Sequence, residues 1–199
     1  MREFITVLFD DFETLDAFGP AEILGRLNEH FTLRFVSQTG GTITSSQNVP
    51  AVTEKISGIP AARYVLLIPG GFGVVNLVKN ESFLHDLKLL AQSADYVLTV
   101  CTGSVLLSKT GLLQGRQATS NKRLFSWAVH ESPGVLWVKK ARWIKDGNIY
   151  SSSGVSAGMD MTLGFVGDLL GYGTAKQQSI EIEYDWKEDA RWDPFSEIY

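Results

Sequence analysis

Two apolar runs in this chain stop abruptly at turn-forming loops. Tyr64-Val65-Leu66-Leu67-Ile68 meets Pro69-Gly70-Gly71-Phe72-Gly73, and Tyr96 to Val100 meets Cys101-Thr102-Gly103-Ser104. Short continuous runs rich in Val, Leu and Ile suit strands covered on both faces, as in a parallel sheet. A parallel sheet needs helical crossovers, and the chain supplies helical patterns between its strands. Phe4 to Phe9 is a further strand, ended by Asp10-Asp11. Leu15 to Leu27 carries Leu15, Phe18, Ile23, Leu24 and Leu27 at helical spacing. Gly19-Pro20 interrupts that pattern, so the regular helix is expected from Pro20, where proline suits a first turn. Phe31 to Ser37 reads as a strand, Gly40-Gly41 as a turn, and the Thr/Ser-rich stretch to Val52 as a small hairpin. Ser82 to Ala94 is helical, with Phe83, Leu87 and Leu90 on one face, and the segment after Cys101 continues as a helix ending near Gly111. Val135 to Val138 and Arg142 to Ser151 supply later strands, the second folded about Asp146-Gly147. Met159 to Leu170 and Ala175 to Tyr184 are the last helices.

This alternation predicts an α/β fold: a three-layer sandwich with a mainly parallel central sheet flanked by helices, flavodoxin-like in architecture. With 44% hydrophobic and 20% charged residues, the 199-residue chain can bury a core without staples. No repeat, low-complexity tract or linker divides it, so residues 1–199 are read as one domain. The net charge is -4, without the basic excess of a nucleic-acid binder. Seven of the acids fall in residues 181–199, beside only Lys187 and Arg191. Tyr184, Trp186, Trp192, Phe195 and Tyr199 lie among them. So many aromatics predict that this tail, from about residue 184, packs on the body or on a second subunit. The single cysteine, Cys101, excludes an intrachain disulfide and suits a reducing compartment. No signal peptide or membrane-length apolar stretch is visible, and a cytoplasmic protein is expected. Phosphate-loop, dinucleotide and metal-ligand spacings are lacking, so neither cofactor nor metal is expected.

In an open parallel sheet, ligands bind beyond the carboxyl ends of the strands, where both loops fall. A cysteine at a sharp strand-to-helix turn meets the unpaired N–H groups of the following helix, which favour thiolate. Gly103 permits the tight turn. On this reading Cys101 is a nucleophile with a depressed pKa; on the plainer one it is a small buried hydrophobe. Pro69-Gly70-Gly71 either presents backbone amides to an oxyanion or is simply a tight strand exit. Asp16, just past the first strand, is either an N-terminal helix cap or a desolvated acid hydrogen-bonded to the sulfur. His30, His85 and His130 have no site context and are expected at the surface.

Several blocks in order then resemble the DJ-1/PfpI (ThiJ/PfpI) superfamily, with its glutamine-amidotransferase-like fold. They are Leu15-Asp16 with Gly19-Pro20; Ile68-Pro69-Gly70-Gly71; Val100-Cys101-Thr102-Gly103-Ser104; Gly111 to Gly115 with Ala118-Thr119; Asp146-Gly147-Asn148; and Ser153 to Asp160. Within that superfamily the chain looks nearest to the isonitrile hydratase branch. The resemblance implies Cys101 as nucleophile attacking an isonitrile carbon, Asp16 as its acid/base partner, and Thr102 shaping the site. Gly70, Gly71, Gly103 and Val155 would contact a small-molecule substrate, and the protein would be a homodimer. Protease-like members carry a histidine directly after the cysteine; Thr102 stands there and disfavours a protease. Hydratase-like and regulator-like members often carry a histidine where this chain has Asn121. A redox or ligand sensor using Cys101, and an amidase- or glyoxalase-like member, are the alternatives.

Overall fold

The first apolar run becomes β1 (Arg2–Val7), an interior strand of an eight-stranded sheet. The computed structural model describes residues 1–58 and 63–199. After β1 come α1 (Thr14–Arg26), β2 (Phe31–Ser37), β3 (Gly41–Thr44), β4 (Pro50–Lys55), β5 (Tyr64–Ile68), α2 (Val74–Leu77), α3 (Glu81–Ser93), β6 (Tyr96–Thr99) and α4 (Gly103–Lys109). Then follow β7 (Gln117–Ala118), α5 (Phe125–Glu131), β8 (Leu136–Trp137), β9 (Trp143–Asp146), β10 (Ile149–Ser152), α6 (Ala157–Leu170) and α7 (Tyr172–Glu181). The sheet order is β3-β4-β2-β1-β5-β6-β10-β9. Pairing is parallel from β4 through β10 and antiparallel at the two ends, β3 on β4 and β9 on β10. This is the expected three-layer α/β sandwich.

Each fully buried strand feeds two cores by alternation. In β5, Val65 and Leu67 join Ile23 and Leu24 of α1 and Met161 and Phe165 of α6. Tyr64, Leu66 and Ile68 join Phe83 and Leu87 of α3 and Val105 of α4 on the other face. Successive strands after β1 build first to one side, through β2, and then to the other, through β5. The crevice at that reversal is where such sheets bind ligands. Here the loops after β1 and β5 are tied together by a Phe12–Gly71 bridge and by the Glu13 N–H donating to the Gly70 carbonyl at 2.8 Å.

Three expectations are corrected. The first helix starts at Thr14, not Pro20, which lies inside it. A mid-helix proline leaves the Asp16 carbonyl without its usual donor and costs about 3 kcal/mol. Packing of α1 on α6 offsets this: a Cβ on Gly19 would stand 2.8 Å from the Met159 side chain. The strand at Val135–Val138 shrinks to β8 and pairs with β7 outside the main sheet. The last helix begins at Tyr172 and ends at Glu181. Of the tail aromatics, Tyr184 and Trp186 pack on the core, the Trp186 indole N–H donating to the Asp160 carbonyl at 3.1 Å. Trp192, Phe195 and Tyr199 are exposed. Polar groups also hold the tail, as described below.

Candidate active site

β6 ends at Thr99, and Val100 leads into Cys101, whose φ is +58°. A side chain in the left-handed region costs roughly 1–2 kcal/mol and persists only where surrounding bonds dictate it. Those bonds are visible: the Val100 N–H donates to the Ile68 carbonyl at 3.1 Å and the Cys101 N–H to the Ser153 carbonyl at 3.0 Å. The helix α4 then starts at once. Gly103 makes this possible, because a Cβ there would lie 2.1 Å from the Ile68 carbonyl oxygen. Gly103→Ala is therefore expected to lower stability by about 3 kcal/mol or more, read by urea unfolding, since rigid backbone has to move. A loss under about 1 kcal/mol would show that the elbow is not fixed by β5.

Asp16 is completely buried in the first turn of α1. It does not cap that helix; the residue at the cap position is Glu13, and Gln47 Oε1 accepts from the Thr14 N–H at 3.0 Å. Asp16 Oδ2 accepts the Gly70 N–H at 2.9 Å. Its Oδ1 is buried without a well-formed hydrogen bond, and the group placed to complete one is the Cys101 thiol. Burial raises the Asp16 pKa to about 8, against the lowering effect of the Gly70 N–H; the Glu13 charge adds to the rise and the thiol contact opposes it. At neutral pH the carboxyl is thus protonated. The proton belongs on Oδ1, because Oδ2 already accepts from Gly70.

The thiol departs from the expectation of a depressed pKa. Cys101 is only 7% exposed. Its pKa is pushed far up, first by burial and then by the Asp16 charge; the Thr102 N–H, the Asn121 side chain and the Val155 N–H pull the other way. The elbow supplies the donors its sequence implies, but burial and a neighbouring acid outweigh them. The Gly70 and Gly71 amides are likewise not free for an oxyanion. The first donates to Asp16, and the second to Thr102 Oγ1 at 3.2 Å.

A cavity of about 270 Å³ opens above the sulfur. Four of the sequence-derived residues line it: Cys101, Thr102, Gly71 and Val155. Gly70 and Gly103 do not; both are buried behind the wall, packed on the elbow backbone. Asp16 also lies behind it. The sequence reading missed Phe72, Val74, Val75, Leu124 and Trp127, with Glu13 and Arg123 also in the lining, and noted Asn121 only as a departure from the family pattern. Phe72, Val74 and Val75 adjoin the Pro69-Gly70-Gly71 loop and were within reach of the local pattern; Leu124 and Trp127 belong to α5 and the turn before it, which gave no clear periodic signal. Val155, with φ +37°, is a strained β-branched residue whose amide faces the thiol. All three histidines are exposed, as expected. Among the described residues no group of His, Cys, Asp or Glu could hold a metal ion, and no helix is long and apolar enough to cross a membrane.

A doubly wound α/β sheet with a cysteine elbow on the strand beside its switch point defines a class of protein, and comparison with known proteins places this chain within it. The chain belongs to the DJ-1/PfpI family, whose model matches residues 3–167. It is 34% identical to the isonitrile hydratase of Pseudomonas putida over 182 residues, 89% of this chain and 76% of that protein. The crystal structure of a ThiJ/PfpI family protein from Pseudomonas syringae superposes with a TM-score of 0.81 at 25% identity, over 92% of this chain and 75% of that one. Drosophila melanogaster DJ-1beta gives a TM-score of 0.80 at 19% identity, over 93% and 99% of the two chains.

Proposed function

We propose that this protein is a cysteine-dependent hydratase that converts an isonitrile to an N-substituted formamide. The observation that carries the reading is a buried Asp16 carboxyl, paired with Cys101 at the floor of a mainly apolar cavity, with no histidine near the sulfur. A hydrolase of the Cys–His type needs an imidazole to activate its thiol. An isonitrile needs something else: a nucleophile for its terminal carbon and a proton for that same carbon. The sulfur forms the C–S bond, and the Oδ1 proton of Asp16 forms the C–H bond, giving a thioimidate. The carboxylate regains the proton from an attacking water, whose oxygen bonds to the imidate carbon. The remaining hydroxyl proton passes to the nitrogen, the C=O bond forms as the C–S bond breaks, and the formamide leaves with the sulfur a thiolate and the pair again carrying one proton. Apolar Phe72, Val75 and Leu124 suit the carbon substituent. The reading implies a small-molecule substrate, a cytoplasmic setting and a homodimer.

The productive form of the pair carries one proton, shared between oxygen and sulfur. Because burial lifts the Asp16 carboxyl to about 8, that form grows as pH rises towards 8 and then stays constant. We expect kcat/KM for p-nitrophenyl isocyanide to climb about tenfold per pH unit below that point and to level off above it. Cys101→Ala should abolish turnover. Retained turnover in that variant, or no turnover in the wild type, would reject the hydratase. An oxidation sensor is less well supported, since sensor thiols are exposed and of low pKa, and this one is neither.

A further inference from the structure

Outside the cavity lies a second buried ionic group that the reaction does not use. Lys122 and Arg142 face Asp160 and Asp193, two charges of each sign, and all four are nearly inaccessible. Asp160 is already occupied: Oδ2 accepts from Arg142 Nε at 2.6 Å and Oδ1 from the Lys187 N–H at 2.9 Å. Asp193 comes from the C-terminal tail. Its Oδ1 accepts from the Phe195 N–H at 3.1 Å and lies 3.6 Å from Arg142 Nη1. Its Oδ2 makes no hydrogen bond and lies 3.9 Å from Lys122 Nζ. The tail is tied down beside it, the Asp193 N–H donating to the Lys140 carbonyl at 2.7 Å and the Arg142 N–H to the Ala190 carbonyl at 2.8 Å.

We propose that Asp193 is a positioning residue for the cysteine site: as the counter-ion of buried Lys122, it holds the loop that carries Asn121 against Cys101. The ammonium of Lys122 donates to Thr119 Oγ1 at 2.7 Å, to the Ala141 carbonyl at 2.8 Å and to the Ser120 carbonyl at 3.3 Å. It therefore pins the two residues before Asn121. Ser120 Oγ donates in turn to the carbonyl of Cys101 at 3.0 Å. Asn121 Oδ1 accepts the Leu124 N–H at 3.1 Å, which leaves the amide NH₂ for the sulfur. There is little slack, since a Cβ on Gly154 would stand 2.6 Å from Asn121 Nδ2. A buried ammonium without a counter-ion is strongly unfavourable. Without Asp193, Lys122 either loses its proton or leaves its place, and the loop loses its anchor. Burial already brings the lysine down to about 8, with Asp193 opposing the fall.

This inference deepens the functional reading, because it concerns the same cysteine, but its test does not depend on isonitrile chemistry. The rate of iodoacetamide alkylation at Cys101 is followed by mass spectrometry at pH 8, well below each variant's melting temperature. Asn121→Ala calibrates the loss of one hydrogen bond to a charged sulfur, an expected slowing of about tenfold. Asp193→Asn should slow alkylation by a similar factor and lower the melting temperature. The double variant Lys122→Met/Asp193→Asn removes one charge of each sign, leaving the Arg142–Asp160 pair neutral. It should regain melting temperature yet remain slow. A purely structural role predicts the opposite sign, since loosened packing exposes a buried thiol and speeds its alkylation. Faster or unchanged alkylation in Asp193→Asn, recovery of the rate in the double variant, or no effect of Asn121→Ala would overturn the proposal.

Discussion

Asp16→Asn is expected to make the protein more stable at pH 7 and above while cutting turnover about a hundredfold or more. The two effects share one cause. In the folded chain the Asp16 pKa is raised by burial to about 8, whereas in the unfolded chain it is an ordinary carboxylate of about 4. Between those values the folded state holds a proton that the unfolded state has released. Stability therefore declines as pH rises through this window, by about 1.4 kcal/mol per pH unit at most, and is constant above it. Asparagine has no such proton. Its side-chain oxygen takes the place of Oδ2 in accepting the Gly70 N–H, and its amide NH₂ faces the sulfur in place of the carboxyl proton. The variant should match the wild type near pH 4 and exceed it by a few kcal/mol at pH 8, seen as a melting-temperature gap that widens with pH. The lost general acid accounts for the fall in turnover. Had Asp16 been a helix cap, the variant would lose about 1 kcal/mol or less and keep its activity. A melting-temperature difference independent of pH would mean that the native carboxyl is ionised, and the protonation scheme would fall with it.

What the sequence revealed and what it concealed divide along a physical line. β5 was legible to the residue because Tyr64 to Ile68 is buried on both faces and a glycine loop stops it; both signals are local. β6 ends one residue earlier than its apolar run, since Val100 is already part of the turn into Cys101. Pro20 misled because its cost in a helix is local, while the packing on α6 that offsets it is not. α5 was missed because Phe125 to Glu131 buries only Phe125 and Ala128 and so gives no periodic stripe. The cysteine elbow was legible as a motif, yet its electrostatics were not. The donors that oppose the rise in thiol pKa include the backbone N–H groups of Thr102 and Val155, which no side-chain pattern encodes. The Asp16–Cys101 encounter depends on β1, β5 and β6 running side by side and in parallel. Asn121 was noticed only as a departure from a family pattern; its approach to the sulfur depends on Lys122 and on a residue seventy-odd positions further along, so only the fold could reveal it.

The alkylation profile of Cys101 should have an unusual shape, and Asp16 should be responsible for it. Below pH 8 the neighbouring carboxyl is neutral, and the small thiolate population grows about tenfold per pH unit, as for any thiol below its pKa. Near pH 8 the pair loses its first proton, chiefly from the carboxyl, because its pKa lies well below that of the sulfur. From there the negative charge on Asp16 opposes a second one beside it. The thiolate fraction is then set by the division of one charge between oxygen and sulfur, which does not depend on pH. Wild-type alkylation should thus rise to about pH 8 and run flat towards pH 10. It should stay slower than that of a free thiol of pKa about 8.5 throughout, helped in this by burial. In Asp16→Asn the repulsion is absent, so the rate keeps climbing across the same interval. By pH 10 the variant should lead the plateaued wild type by an order of magnitude or more, although it is the poorer catalyst. A wild-type profile that climbs without a plateau would show the two groups to be uncoupled, and a fast reaction at pH 7 would restore the low-pKa thiol that the elbow motif alone suggests. The opposite signs of the two readouts separate a thiol tuned for proton transfer to carbon from one tuned for indiscriminate nucleophilicity. In this site the carboxyl suppresses the second property because its proton serves the first.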